Sequence, residues 1–281
     1  MKIIDPHLHL FSLEDGNYGW LKPQNPPFWT DKTIIHRDFH EKDLSLDSPL
    51  ALTGFVHVEA GFDNAQPWRE IEWLEASCYL PFKSIACVDL TLPQDAFAVL
   101  VDKLTQYQTV VGVRHILDDD AVRLLNLASV QDNLRTLAEN NLIFEAQFDA
   151  NDTQAVEAFF DTTRQHADLQ FVLNHAGFPP SENDKPWEIN LQRLSKSKNL
   201  WVKASGWEMS DRHFSVKTML ERINALIACL GEERVMLASN FPLTLFRTTY
   251  SGLWADYLAL PYSEMTLKKL CFENANQCYR F

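Results

Sequence analysis

Short apolar runs rich in β-branched residues recur along the 281-residue chain, with amphipathic stretches between most of them. The runs predict eight strands, at residues 2–6, 52–59, 83–90, 109–115, 142–148, 169–175, 200–205 and 234–240. Apolar positions at helical spacing predict helices at residues 67–79, 93–107, 129–140, 152–167, 186–198, 213–230 and 263–279. Because strands that alternate with helices form parallel sheets, the pattern favours an α/β fold, a (β/α)₈ TIM barrel with residues 1–281 as one domain. A doubly wound open sheet is the alternative, although no glycine-rich dinucleotide turn follows a strand.

Residues 10–50 are the longest departure from this alternation, and they lie between the first two predicted strands. They hold Tyr18, Trp20 and Trp29 among several prolines. Long ordered loops that follow barrel strands commonly cover an active site. We therefore expect a partial lid, and the alternative is a loop that packs its own aromatic side chains.

Charge and cysteine content narrow the expected partners and compartment. Acidic residues outnumber basic ones by 38 to 25, for a formal net charge of −13, which argues against nucleic acid and against an anionic membrane as partners. The five cysteines lack CxxC spacing, the first residues lack the pattern of a signal peptide, and no apolar run has the length of a transmembrane helix. We expect a cytoplasmic protein that acts on a small-molecule substrate, with its oligomeric state left open.

The segment Asp5-Pro6-His7-Leu8-His9 ends the first predicted strand. Side chains on a strand alternate between its two faces, so Asp5, His7 and His9 share one face. Two imidazoles on one rigid face are suited to hold a divalent metal or to bind an oxyanion. The segment therefore indicates a functional site. These residues alone do not distinguish a metal ion from an oxyanion as its ligand.

Other polar side chains follow the same position, near the carboxyl end of a predicted strand, where barrel enzymes place their catalytic groups. They are His57, Glu59, Asp89, Arg114, Glu145, Gln147, His175, Lys203, Ser205 and Asn240. Ionisable residues are unusual in parallel strands, which are covered on both faces and are mostly apolar. The large number of polar residues at the strand ends predicts a site at the mouth of the barrel. Individual residues among them can still point outward, beneath the helices. His115 is expected to point outward if Arg114 points inward.

The chain resembles the amidohydrolase superfamily, and within it the amidohydrolase-2 group of metal-dependent TIM-barrel hydrolases. That group includes sugar lactonases and 2-pyrone-4,6-dicarboxylate lactonase. The resemblance is carried by short motifs in order around the predicted strands, at residues 5–9, 18–21, 111–115, 174–177, 202–206, 233–236, 239–242 and 273–275.

The resemblance implies one divalent metal such as Zn²⁺, held by His7, His9 and His175, and it also permits metal-free chemistry. One departure is at strand eight, where the family's Gly-Ser-Asp-Trp-Pro pattern is here Ala238-Ser239-Asn240-Phe241-Pro242. The family's aspartate activates the hydrolytic water and ligates the metal where one is bound. An amide is neither a base near neutral pH nor an anionic ligand. We expect Glu59 to supply the missing carboxylate as a metal ligand.

The function implied by the resemblance is hydrolysis of a small carboxylate- or hydroxyl-rich ester, in particular a sugar lactone. The oxyanion would be stabilised by a metal, or by Lys203, Arg114 and protonated histidines. Glu59 or His175 would replace the aspartate as base, with Asn240 beside them. Arg114 would bind the substrate through its planar guanidinium.

Aromatic side chains on the predicted loops complete the expected site. Tyr18, Trp20 and Trp207 are expected to contact the substrate, together with Trp29, and the alternative for them is core packing.

A protein that only binds a sugar acid or lactone is the alternative function, because Asn240 removes the usual base. A decarboxylase of the same superfamily is a third.

Overall fold

Eight parallel strands, each hydrogen-bonded to the next in chain order, form the centre of the fold in the computed structural model, which describes residues 1–180 and 185–281. The strands are β1 (Lys2–Leu8), β2 (Ala51–Val58), β3 (Phe82–Cys87), β4 (Val110–Ile116), β5 (Ile143–Gln147), β6 (Phe171–Leu173), β7 (Leu200–Ala204) and β8 (Val235–Leu237). The ring closes just beyond β8, where the Asn240 amide donates to the His7 carbonyl at 2.8 Å and the His9 amide donates to the Phe241 carbonyl at 2.7 Å. The predicted barrel is confirmed, and the open sheet is wrong.

Helices surround this ring in the described part of the chain. They are α1 (Trp68–Ser77), α2 (Gln94–Leu104), α3 (Ala121–Leu125), α4 (Ala128–Glu139), α5 (Thr153–Gln165), α6 (Lys185–Leu194), α7 (Trp207–Ser210), α8 (Val216–Leu230), α9 (Tyr250–Leu258), α10 (Glu264–Lys268) and α11 (Asn274–Tyr279). A π-helical turn, Lys269–Glu273, joins α10 to α11, so the last predicted helix is three consecutive pieces. The sequence pattern missed α3, α7 and α9. None of these described helices is long and apolar enough to cross a membrane.

Two strands end earlier than predicted, and the residues beyond them form turns. β6 stops at Leu173 and β8 at Leu237, although the predicted strands extend to residues 175 and 240. His175 and Asn240 have φ angles of 52° and 55°. Residues in this left-handed region leave the extended path of a strand, so these two side chains are presented by turns instead of by the sheet.

A separate apolar cluster lies at the end of the barrel away from these turns. Ile4, Val56 and Met236 pack there with Cys278 and Tyr279 of α11. The next residues reach the starts of the strands, since Arg280 donates to the Val111 carbonyl. The C-terminal helix therefore closes one end of the barrel and leaves the other end for a site.

Asn274 connects this C-terminal helix to β8. Its buried side-chain amide donates to the carbonyls of Glu232, at 2.6 Å, and Val235, at 2.7 Å. Asn274→Asp removes both donors and is expected to destabilise the fold by about 1–3 kcal/mol, because a buried carbonyl loses its partner. Urea denaturation measures this. The matched control is Asn126→Asp, since Asn126 makes a similar bond to Val122 in an exposed position. Equal urea midpoints for the two variants would contradict the prediction.

Candidate active site

Three histidines meet at the carboxyl end of the barrel. His7 and His9 come from the end of β1, and His175 comes from the turn that follows β6. The ring centroid of His7 lies 5.0 Å from that of His9 and 4.5 Å from that of His175. The chain after β7 passes close to His175 at Gly206, where a Cβ atom would lie 2.5 Å from His175 Nδ1. Glycine is needed there for this approach.

Hydrogen bonds define which nitrogen of each β1 histidine carries the proton. His9 Nδ1 lies 2.7 Å from the Val58 carbonyl, which only accepts, so Nδ1 is protonated and Nε2 keeps its lone pair. His7 Nδ1 lies 3.3 Å from the Lys203 ammonium, which only donates, so Nδ1 accepts and Nε2 carries the proton. His7 Nε2 is buried and has no hydrogen-bond partner in the described structure.

The three histidines are neutral at neutral pH. Burial lowers the pKa of His7, His9 and His175 well below 6.5. The positive charge of Arg114 lowers all three pKa values further, and that of Lys203 lowers the pKa values of His7 and His175. Protonated histidines were expected to stabilise an oxyanion, and this expectation is wrong, because charging a buried ring beside two cations is unfavourable.

Arg114 and Glu59 form a buried ion pair on the wall of the site. Arg114 Nε and Nη2 each lie 2.7 Å from Glu59 Oε1, and Nη2 also donates to the Glu59 carbonyl at 2.8 Å. Nη1 donates to the Gln147 side chain at 3.1 Å. Burial raises the pKa of Glu59, and Arg114 opposes that rise. The carboxylate predicted to serve as base and metal ligand is therefore already engaged by a cation.

Lys203 and Glu145 form a second ion pair, deeper in the barrel. Lys203 Nζ lies 2.7 Å and 2.6 Å from the two Glu145 oxygens, and both side chains are fully buried. The Tyr279 hydroxyl donates to Glu145 at 2.8 Å. Burial lowers the pKa of Lys203 to about 8, against the opposing effect of Glu145. The structure thus places Lys203 beneath His7 rather than on the wall of the cavity.

Asn240 is hydrogen-bonded to a carboxyl group that the sequence analysis did not single out. Asn240 Nδ2 donates to Glu208 Oε1 at 2.6 Å, and both side chains are buried. Glu208 belongs to α7, directly after β7. Burial raises its pKa to about 7, while the hydrogen bond from Asn240 acts in the opposite direction. The only sequence signal for it is a carboxylate three residues beyond Ser205, at the end of a predicted strand.

A cavity of about 760 Å³ lies above these groups. Its apolar walls include Trp20, Pro26, Pro27, Trp29, Phe178 and Met209. Its polar walls include His9, Glu59, Arg114, Gln147, His175 and Asn240. The first loop therefore contributes aromatic and proline side chains to the cavity, as the expected partial lid requires.

Tyr18 and Trp207 do not reach this cavity, which corrects the expectation that they contact substrate. The Tyr18 hydroxyl accepts from the Ser12 amide at 3.0 Å, and its ring packs on Phe11. Trp207 Nε1 donates to the Tyr257 hydroxyl at 3.0 Å. Both side chains are about 1% exposed, so they pack within the protein.

Other strand-end residues divide between the site and its surroundings. His57 Nε2 lies 3.0 Å from Glu70 of α1, and His57 Nδ1 accepts from the Leu10 amide. His115 points away from Arg114 and lies 3.8 Å from Asp89, outside the cavity, as strand alternation predicts. Ser205 lies 3.2 Å from His175 Nδ1.

The donor set at the histidines does not fit a divalent metal. Among residues 1–180 and 185–281, no three His, Cys, Asp or Glu side chains are placed to hold one ion. His7 Nε2 carries its proton, Glu59 is paired with Arg114, and Asn240 is neutral. The positive charges of Lys203 and Arg114 also act on these imidazoles, and they are unfavourable for a divalent cation at the same place.

A polar cluster at the carboxyl ends of the strands is the arrangement typical of TIM-barrel enzymes. The sequence model of the amidohydrolase family (Amidohydro_2) matches residues 4–281, and the chain belongs to this family. It is 28% identical over 297 residues to the uncharacterized protein y4mH of Sinorhizobium fredii (strain NBRC 101917 / NGR234), with 99% of this chain and 98% of the relative covered.

A second relative and a solved structure extend this comparison. The chain is 25% identical over 281 residues to an L-fucono-1,5-lactonase of Burkholderia multivorans (strain ATCC 17616 / 249), with 90% of this chain and 88% of the lactonase covered. A crystal structure of an amidohydrolase from Burkholderia multivorans with bound zinc has the same fold, with a TM-score of 0.81, 21% identity and 100% of both chains covered.

The buried ion pair beneath the histidines makes a stability prediction. Lys203→Met leaves the Glu145 carboxylate buried without its cation, and losing one partner of such a pair costs about 3–5 kcal/mol. We expect urea denaturation to show this loss. Adding Glu145→Gln removes the unpaired charge and keeps an acceptor for Tyr279, so the double variant is expected to recover much of the stability. A double variant as unstable as Lys203→Met would contradict this interpretation.

Proposed function

We propose that this protein hydrolyses a small lactone that carries several hydroxyl groups or a carboxylate. The observation that supports this most is the cavity, which combines aromatic walls with a fixed arginine and neutral hydrogen-bonding groups above the strand ends. The similarity to an L-fucono-1,5-lactonase is consistent with such a substrate.

Two sides of the cavity would bind the substrate, one through Arg114 and the other through the aromatic side chains of the first loop. Arg114 is held in one orientation by Glu59 and Gln147, and one Nη1 hydrogen of its guanidinium is left to donate to a carboxylate or hydroxyl of the substrate. Trp20 and Trp29 lie with ring centroids 6.4 Å apart on the loop side. Aromatic faces pack on the apolar C–H faces of a sugar ring, so this wall suits a hydroxylated lactone.

Hydrolysis requires a bound water and stabilisation of the negative charge that forms on the carbonyl oxygen. Arg114 supplies a fixed N–H donor at the cavity wall for the carbonyl oxygen, while the paired Glu59 balances its charge. His9 Nε2 is an acceptor that can hold a hydrogen of the attacking water, because its lone pair is free. In this proposal no step depends on a metal.

Binding without turnover is the second candidate function. It is favoured by Asn240, which is no base, and by Glu59, whose carboxylate is engaged by Arg114. Isothermal titration with aldonates, next to turnover assays with aldonolactones, separates the two functions. Aldonate binding with no lactone hydrolysis would favour the binding protein.

Arg114→Lys tests the proposed substrate recognition. Lysine keeps the charge beside Glu59 but loses the Nη1 donor that is left for the substrate, so we expect kcat/KM for aldonolactones to fall about 10- to 100-fold, the equivalent of one charge-assisted hydrogen bond. A pH-indicator assay on a panel of aldono-1,4- and 1,5-lactones measures it. Arg135→Lys, an exposed arginine paired with Asp132, is the matched control. No turnover of any lactone by the unaltered protein would overturn the proposed function.

Zinc dependence provides a separate test. Because two cations lie beside the histidines and His7 Nε2 carries a proton, a chelator in the assay is expected to leave lactone hydrolysis unchanged, and isothermal titration is expected to show weak Zn²⁺ binding. Asn240→Asp adds a carboxylate near the histidines and is expected to bind Zn²⁺ more tightly. Loss of the wild-type rate on chelation and its return with Zn²⁺ would contradict this expectation.

A further inference from the structure

One wall of the cavity is a chain of four hydrogen-bonded side chains, from Glu59 through Arg114 and Gln147 to Asp118. Arg114 donates to Glu59 Oε1 at 2.7 Å and, through Nη1, to Gln147 Oε1 at 3.1 Å. Gln147 Nε2 in turn donates to Asp118 Oδ1 at 3.3 Å. Because a guanidinium only donates, the Gln147 amide must turn its oxygen to Arg114 and its nitrogen to Asp118. All four residues line the cavity.

The charges along this chain of side chains do not cancel. Glu59 compensates Arg114 in a direct ion pair. Asp118 forms no ion pair with any residue that the structure describes, and its hydrogen-bond partner is a neutral amide. The two histidines of the cavity are neutral, so the other described side chains that line it add no charge. Two carboxylates against one guanidinium leave these walls with one net negative charge at neutral pH.

We infer that Asp118 determines substrate specificity, because its carboxylate favours a neutral, hydroxyl-rich lactone over a lactone that carries a carboxylate. The inference rests on the proposed lactonase function and decides between the two substrate classes named there. Substrate hydroxyls can donate to Asp118 and accept the remaining hydrogen of Arg114 Nη1, whereas a carboxylate only accepts. A substrate carboxylate at this wall would also meet the like charge of Asp118, which is unfavourable.

The Asp118 carboxylate is accessible to a substrate. Residue 118 follows β4, the strand that carries Arg114, and it is exposed to solvent. Its Oδ2 atom accepts no hydrogen bond from the described residues, so it is free to accept one from a substrate hydroxyl. Partial burial raises the pKa of Asp118, while the Gln147 hydrogen bond and the charge of Arg114 oppose that rise. These two opposing effects favour the ionised form that the inference requires.

Hydrolysis changes the charge of the bound molecule, which gives Asp118 a second effect. Addition of water breaks the ester bond of a neutral lactone, and the carboxylic acid that forms releases its proton near neutral pH. The product is therefore an anion beside Asp118, although the substrate was neutral. The repulsion that disfavours an anionic substrate also weakens binding of the product, so it favours product release.

Asp118→Asn tests the inference, since asparagine keeps the shape, can still accept from Gln147 and tolerates the φ angle of 38° at this residue. Each aldonolactone that the wild type hydrolyses is compared with its aldarolactone, which has a carboxylate in place of the terminal hydroxymethyl group. We expect the wild type to prefer the aldonolactone, and Asp118→Asn to reduce this preference in kcat/KM about 3- to 30-fold.

Two controls separate the charge of Asp118 from other effects. Asp119→Asn removes the neighbouring exposed charge, which lies outside the cavity lining, and is expected to keep the wild-type preference. High salt is expected to reduce the preference of the wild type, because salt screens the charge of an exposed carboxylate. A purely structural role of residue 118 would not produce this salt dependence.

Product binding gives a readout that needs no turnover. The hydrolysis products of aldonolactones are aldonates, which are anions. Isothermal titration is expected to show aldonates binding about 3- to 30-fold more tightly to Asp118→Asn than to the wild type, with Asp119→Asn equal to the wild type.

The outcomes separate this role from the proposed function. A wild-type protein that hydrolyses aldonolactones and aldarolactones equally well overturns the role of Asp118 alone. So does a preference that Asp118→Asn and Asp119→Asn change equally. A preference of the wild type that is independent of salt overturns the role as well, even if Asp118→Asn fails to fold. A wild-type protein inactive on every lactone overturns the proposed function and this role with it.

Discussion

The buried ion pair of Lys203 and Glu145 determines the protonation of the groups above it. Its ammonium donates to His7 Nδ1 and so fixes the His7 proton on Nε2. The same charge lowers the pKa of His7 and His175, which keeps both rings neutral. Tyr279, from the C-terminal helix, donates to Glu145 and holds the pair from below. The end of the chain thereby influences the chemistry at the opposite end of the barrel.

Charge is arranged in pairs at this site, and the pairs limit what each residue can do. Arg114 is held rigidly because Glu59 accepts two of its hydrogen bonds, and Glu59 loses basicity for the same reason. Glu208 differs, because its hydrogen-bond partner Asn240 is neutral. Glu59 and Glu208 are the same residue type in the sequence, but one faces a cation and the other a neutral amide, so their surroundings affect their ionisation differently.

The pattern of hydrophobic residues in the sequence predicts the barrel. It also predicts which end of the barrel holds the polar cluster, because the direction of each strand side chain follows from the alternation along that strand. It places His9 and Arg114 correctly at the cavity. It fails for Tyr18 and Trp207, since the direction of a loop side chain depends on contacts distant in sequence. It also misses Glu208, whose significance comes from a partner 32 residues away in the chain. Which side chains pair depends on the three-dimensional fold, so the residue pattern within one segment does not predict it.

The closure of the barrel makes the backbone at residue 240 independent of its side chain. The Asn240 amide donates to the His7 carbonyl, and the next residue accepts from His9 through the Phe241 carbonyl. These bonds join the turn after β8 to the histidine strand through main-chain atoms alone. Asparagine and aspartate both tolerate the left-handed conformation found there. The side chain at this position can therefore change from an acid to an amide without moving the histidines.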